Sequence, residues 1–179
     1  MNPPAPTAPT ASATGPIHDW HRRLQYDRGQ RAGLRRAQTI DEVYQVLAFH
    51  QLLAHAGPKL PHETAARMAI ALAEVDADTS TAPDRWGAAL GRAFATHRHG
   101  KPRLSEDRLR LLATAEDPDQ FLRLLRGAIQ ALDRHAPLQD VADIVRAWHR
   151  PASRLQARRQ IFLAYYAAST AASGEADDG

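Results

Sequence analysis

Nine histidines are the first residues whose type could do chemistry. His18 and His21 are three apart, His97 and His99 flank Arg98, and His50 and His55 fall on or near one helix. A metal site needs several converging donors, usually with carboxylates, and neither HExxH nor a pair of ExxH motifs occurs. No metal is expected, and His50, on an otherwise apolar helix, reads as a hydrogen-bonded core or interface residue. The carboxylate pairs Asp41/Glu42 and Glu106/Asp107 fall in first turns of helices, where the helix dipole accounts for them. There is no phosphate-cradling glycine loop and no GxSxG. The chain has no cysteine, so a thiol nucleophile, a cysteine-ligated zinc and a disulfide scaffold are excluded. No acid, base and nucleophile set can be assembled from spacing: the expectation is a protein that is not an enzyme and takes no cofactor.

The arginines are more informative. The formal net charge of +3 is unevenly spread. From Arg22 to Arg36 six arginines face Asp27 alone, and from Arg92 to Arg110 six bases face Glu106 and Asp107. From Arg146 to Arg159 five arginines face no acid. The intervening stretches are acidic, with seven acids against three bases over residues 37–91 and six against three over 111–145. Brought together, three basic runs would make one electropositive face, the footprint of a polyanion partner. Only Lys59 and Lys101 are lysines; the guanidinium fork suits phosphate and stacks on bases. A GC-rich genome also favours arginine codons, which accounts for the ratio but not for the clustering. Arg31/Arg35 and Arg154/Arg158 are spaced i, i+4, so each pair shares a helix face. Arg150 extends the second row across Pro151, Lys101 and Arg103 sit in a loop, and Arg123 and Arg126 make a smaller pair. Few aromatics lie off the core stripes, which favours backbone contact over base readout.

The elements that must position these residues are helical. Alanine and leucine abound and period-two β-branched runs are absent. Helices are predicted over about Ile17 to Gln25, then as a basic turn or short helix through RAGLRRA. A long one runs from a Thr39/Glu42 capping box to Gly57-Pro58, with Val43, Val46, Leu47, Leu53 and Ala54 inward. The next starts at Pro61 with Met68, Leu72 and Val75 inward, and one from about Asp84 to Thr96 carries Trp86, Leu90 and Phe94. HRHGKPR reads as a basic loop and DADTSTAPD as another. Ser105 and Asp117 are predicted caps of two further helices, the second burying Phe121, Leu125, Ala128, Ile129 and Leu132. Pro137 opens a helix through Val141, Ile144, Val145 and Trp148, and a last one from about Ala152 ends near Ser169, burying Leu155, Phe162 and Tyr166. The class is all-α with seven or eight helices in two lobes over residues 17–169, the boundary near 97–104. Residues 1–16, rich in Pro, Ala and Thr, and the acidic residues 170–179 read as disordered tails. No membrane span or signal peptide is evident, so a soluble, cytoplasmic protein is expected.

Four segments in order resemble the CasB family, the small subunit of the type I-E CRISPR surveillance complex Cascade. They are HDWHRRLQYDRGQRAGLRRA, GAALGRAFATH, RLSEDRLRLLATAEDPDQFLRLLRGAI and VRAWHRPASRLQARRQIFLAYY. The resemblance implies a non-catalytic all-α subunit, present in two head-to-tail copies beside the backbone subunits and the large PAM-reading subunit. It also implies binding of single-stranded nucleic acid, contacting the displaced strand and the guide–target region (crRNA and target DNA) to hold the R-loop open. An R-loop is a near-balanced exchange of duplexes, so modest backbone contacts can tip it. Carried over by position, the family's basic residues match Arg31, Arg35, Arg36, Arg92, Lys101, Arg103, Arg108, Arg158 and Arg159, with Arg150 and Arg154 beside them. Asp107 stands beside Arg108 where a family member has a base, and Arg92 also fits a structural pairing between lobes. Two other readings of the residues stay open: a free-standing helix-turn-helix regulator built on Gln30 to Ala37, and an adaptor whose helices touch only protein.

Overall fold

A helix that is apolar on every side must be enclosed, and His62–Ala73 is that helix here. The computed structural model describes residues 15–56, 59–80 and 86–175. Among them are α1 (Pro16–Tyr26), α2 (Arg28–Arg36), α3 (Ile40–Val43), α4 (Leu47–Ala56), α5 (His62–Ala73), α6 (Ala88–Ala95), α7 (Glu106–Thr114), α8 (Pro118–Ala131), α9 (Leu138–Trp148) and α10 (Pro151–Glu175). The fold is all-α. Every residue of α5 from Thr64 to Ala73 is buried, its alanines letting neighbours close in. Helices α1 to α4 pack on α5 from one side and α8 and α9 from the other; α9 in turn carries α6 and α10. One core cluster runs from Trp20 to Tyr165. Its tryptophans keep their N–H groups satisfied, Trp20 donating to Ala48 O and Trp148 to Ala115 O, each at 2.8 Å. Phe121 stacks on Trp148 with ring centroids 3.7 Å apart.

The expected core faces of α5, α8 and α9 are buried as read, but four elements differ. The long helix from Thr39 is two helices, because Gln45 and Val46 close i→i+3 turns onto Glu42 and Val43. That break shifts the phase: Ala48, Phe49 and Leu52 are buried while Leu47 is 59% exposed. With α2 a full helix, the count becomes ten rather than seven or eight. His50 is exposed, not core, though its Nε2 is hydrogen-bonded at 2.9 Å to Tyr44 O. The HRHGKPR segment is not an open loop. It is a hairpin of β2 (His97–Arg98) and β3 (Lys101–Pro102), whose turn residues His99 and Gly100 both have positive φ. A second two-residue pairing, parallel, joins β1 (Ala77–Asp78) to β4 (His135–Ala136).

On α10 the buried stripe is Ala157, Ile161 and Tyr165; Leu155 and Tyr166 are exposed and Phe162 is half-buried. The reason is backbone approach rather than side-chain size. A Cβ on Gly91 of α6 would lie 2.5 Å from Ile161 O, so only glycine lets α6 and α10 touch there. Tyr165, turned inward by that contact, donates to Leu104 O at 2.9 Å. Helix α10 continues to Glu175, past the expected end at Ser169.

The start of α6 also moves. Trp86 and Gly87 have positive φ, so the helix begins at Ala88 and Gly87 has no side chain with which to cap it. Asp140 of α9, 2% exposed, does so instead, accepting from Gly87 N at 2.6 Å and Leu90 N at 2.8 Å. Of the local caps, Asp117 accepts from Gln120 N and Thr39 from Glu42 N, whereas Ser105 makes no capping bond. Glu42 accepts from Gln38 N instead of closing the box on Thr39. The expected helix stop at Gly57-Pro58, the start at Asp84, residues 1–14 of the first tail and 176–179 of the second lie outside the described residues, while residues 170–175, expected to be disordered, belong to α10.

Candidate nucleic-acid interface

The first basic run divides by helix face. Arg31 and Arg35 share a side of α2 as their spacing requires, and that side faces the C-terminal end of α5. Arg35 donates through Nε to Ala73 O at 2.6 Å and through Nη2 to Glu74 O at 3.3 Å. Both guanidiniums also pair with Asp76. Arg35 therefore caps the last carbonyls of α5, where a cation is favoured by the dipole. Burial, then the neighbouring Arg31 and Arg134 cations, push its pKa down to about 10, which leaves it charged at neutral pH. Arg36, one residue on, is exposed and has no ion pair.

Behind this pair sits a carboxylate that local sequence did not single out. Glu74, 1% exposed, accepts from Arg126 Nε at 2.9 Å and pairs with Arg134 as well. Arg126 also reaches Ala37 O and Arg35 O, so it closes the C-terminal end of α2 as Arg35 closes that of α5. Arg67, two turns earlier along the same side of α5, binds Asp119 at 2.7 Å. That bond, first among its causes, holds the Asp119 carboxyl below the usual carboxylate range. These partners are 52 or more residues from each other in sequence.

The second run also divides. Arg98 and Arg103 converge on Asp133, each at 2.7 Å, and Arg103 followed by Arg98 keeps that carboxyl below its ordinary pKa. Lys101 on the hairpin and Arg108 on α7 are exposed with no ion pair; Asp107 and Glu106 engage Arg110 instead. Arg92 is exposed on α6 and engages a neighbouring group.

The third run is the least neutralised. Arg150 and Arg159 are exposed without an acid among the described residues, as is Arg146 on α9. Arg154 donates to Glu116 O at 2.7 Å, and the half-buried Arg158 has an Nε with no partner. Because Arg154 reaches Glu116, beyond the C-terminal end of α7, and Tyr165 reaches Leu104, just before its start, α7 and α10 run antiparallel side by side. Arg108 and the Arg158–Arg159 pair thus sit on neighbouring helices, with Lys101 on the hairpin that leads into α7. Arg36 stands on α2, which packs on α1, α4 and α5. The same flank of α10 exposes Leu155, Leu163 and Tyr166, at 45%, 65% and 41%. Tyr26, 86% exposed between Arg23 and Arg28, is an aromatic at the first run that the core-stripe reading passed over.

Among the described residues no group of three or more His, Asp or Glu could hold a metal, and no helix is long and apolar enough to cross a membrane. No curated protein and no solved structure matches the chain. The family model of the CRISPR-associated protein Cse2 matches residues 30–166, from α2 to the exposed flank of α10. A match over that much of the chain, taking in the second and third basic runs and the end of the first, places it: the protein belongs to the Cse2 family, the small subunits of the type I-E CRISPR Cascade complex.

Proposed function

We propose that the chain is a non-catalytic Cascade subunit that binds single-stranded nucleic acid and stabilises the R-loop. It works through the backbone of the displaced strand and of the guide–target region. The observation that carries this is the acid-free run from Arg146 to Arg159, set against Arg108 on the antiparallel α7. Lys101, Arg108, Arg150, Arg158 and Arg159 are the phosphate contacts, with Arg36 and Arg92 as outlying ones. Arg31, Arg35, Arg103 and Arg154 already hold internal partners and act by keeping the surface in shape. Cations that meet phosphate without base contacts bind any sequence.

The exposed apolar residues Leu155, Leu163 and Tyr166 favour a protein neighbour along the flank of α10 that also carries Arg159, so strand and subunit contacts meet on one helix. That neighbour is a backbone subunit, the large PAM-reading subunit or the second copy.

The test is fluorescence anisotropy of labelled single-stranded and duplex DNA at two salt concentrations. Five phosphate contacts predict a fall in affinity of roughly a hundred-fold between 50 and 200 mM salt. A variant carrying Arg108→Glu, Arg150→Glu and Arg159→Glu loses that binding while melting as the parent does. A flat salt response, or tight binding to one duplex sequence, contradicts the proposal; the second outcome is that of a regulator.

A further inference from the structure

A cavity of about 280 Å3 opens where the N-terminal ends of α5 and α10 meet the C-terminal end of α9. Two residues of its wall each carry a buried polar atom that has no hydrogen-bond partner among the described residues: Thr64 Oγ1, on a residue only 1% exposed, and His149 Nε2. Leaving a buried hydroxyl unpartnered is costly, so a side chain held this way points to a ligand that completes it. Trp86, half-buried and held at φ 65°, lines the same cavity. Lys59, Arg146 and Arg150 are exposed along it, and among the described residues no acidic side chain lines it.

The backbone adds to this charge. Helix α5 starts at Pro61 without a side-chain cap, and α10 has no acid in its first turn, so the positive ends of both helix dipoles favour an anion there. The one carboxylate in the first turn of α5, Glu63, lies 3.4 Å from Arg67 and is engaged there. Burial, with Arg67 second, holds the His149 imidazole below its ordinary pKa, so it meets a ligand uncharged at neutral pH.

We infer that this cavity takes one nucleotide of a single strand, its base against Trp86 and its phosphate between Arg146, Arg150 and the two helix ends. The inference rests on the strand-binding function proposed above and locates one subsite of it. The volume is near the lower limit of ligand pockets, roughly 300–1,000 Å3, which leaves room for one ring system and not for a longer segment. Thr64 Oγ1 and His149 Nε2 face the base edge. A hydroxyl rotates to donate or accept, so the site holds a base without choosing its sequence. Arg150 belongs both to this cavity and to the basic run on α10, which makes the cavity continuous with the strand surface.

Tryptophan fluorescence reads this site, because Trp20 and Trp148 are 1% and 2% exposed and Trp86 is the accessible ring of the three. The full chain is titrated with a short oligothymidylate, with its abasic analogue and with thymidine monophosphate. Anisotropy is followed in parallel. Quenching is expected with oligothymidylate and not with the abasic strand. Trp86→Leu is expected to weaken oligothymidylate binding about ten-fold, the worth of one stacked base. Thr64→Val is expected to weaken it about five-fold, one neutral hydrogen bond, while melting no lower than the parent because it breaks no bond in the free chain. Abasic binding should stay unchanged in both variants. If strand binding needs Arg108 and Arg159 but ignores the base, Trp86 and Thr64, the pocket is refuted and the strand-binding function stands. Equal affinity for thymidine monophosphate and oligothymidylate, indifferent to Arg108→Glu and Arg159→Glu, refutes it in favour of a free-nucleotide site. No quenching and no anisotropy change with any probe refutes both.

Discussion

Arg35 and Arg36 are neighbours in one basic run, and replacing each with alanine should give opposite results. Arg35 donates to Ala73 O at 2.6 Å and to Glu74 O at 3.3 Å, two carbonyls at the end of α5 that have no other cap. A net hydrogen bond from a charged donor contributes about 1.5–3 kcal/mol, and the longer of these two is worth the lower figure or less. The Asp76 pair adds little, since that carboxylate is 41% exposed and keeps Arg31. Release of a partly desolvated guanidinium offsets part of the loss, so Arg35→Ala is expected to cost about 2–3 kcal/mol. For a chain of this size that lowers the melting temperature by roughly 4–12 °C. Arg36 is exposed and unpaired, so Arg36→Ala should change stability by less than about 0.5 kcal/mol. It should instead reduce the slope of log affinity against log salt for single-stranded DNA by about 0.7, one phosphate contact. Urea titrations followed by far-UV circular dichroism measure the first quantity and anisotropy at several salt concentrations the second. Equal destabilisation by the two variants, or an Arg35→Ala chain as stable as the parent, refutes the division of the run into an inward and an outward face.

The other predictions concern the packing that presents the strand surface. Asp140→Asn keeps one of two acceptors for Gly87 N and Leu90 N and turns an amide toward the other; a loss of about 2–4 kcal/mol by urea titration is expected, and an unchanged midpoint would mean that α6 needs no cap. Gly91→Ala places a methyl group 2.5 Å from Ile161 O, so α6 and α10 must part; this costs about 1–3 kcal/mol and exposes α10 amides to hydrogen exchange, which would stay protected if the contact were loose. His21 is pushed below its ordinary pKa of about 6.5, by burial before anything else. Its unfolded form then binds the proton more readily than its folded form, so its stabilisation is whole above that value and falls away below it, toward the folded pKa. Melting temperature should drop between pH 7.5 and 5.5 by less in His21→Gln than in the parent, and parallel profiles would exclude His21 as a source of the slope.

How far the fold could be read depended on the distance over which each feature is decided. Helices α5, α8 and α9 were legible because their apolar residues recur at helical spacing and the cap at Asp117 is local. The hairpin at His97–Pro102 was not, since its two-residue strands carry no β-branched alternation and only Gly100 marks the turn. The phase of α10 was misread because residue size was used to choose the buried side, while a close backbone contact at Gly91 chose it. The arginine runs were legible as candidates, but not their division. Spacing puts Arg31 and Arg35 on one face without saying that the face meets Ala73 and Asp76. Glu74, flanked in sequence by apolar residues, gave no sign that Arg126 and Arg134 would converge on it. Trp86 was placed on the α6 stripe, where a positive φ keeps it out of the helix and beside a cavity.

The alternation of basic and acidic stretches now has a physical reading. Asp76 and Asp133, from the two acidic stretches, hold Arg31, Arg35, Arg98 and Arg103 of the basic runs, while Glu74 and Asp119 hold Arg126, Arg134 and Arg67, which lie in the acidic stretches themselves. Folding thus matches each inward arginine to a carboxylate supplied from far along the chain. The outward cations, Arg36, Lys101, Arg108, Arg150 and Arg159, keep no such partner among the described residues. Within Arg146 to Arg159 the only described acceptor is the carbonyl of Glu116, which satisfies a hydrogen bond of Arg154 without cancelling its charge. A surface that was merely solvated would have no reason to be spared counter-charges that the same chain places so consistently in its interior. The excess is therefore concentrated where α7 and α10 lie side by side, and it is there that a polyanion gains most by replacing its counterions.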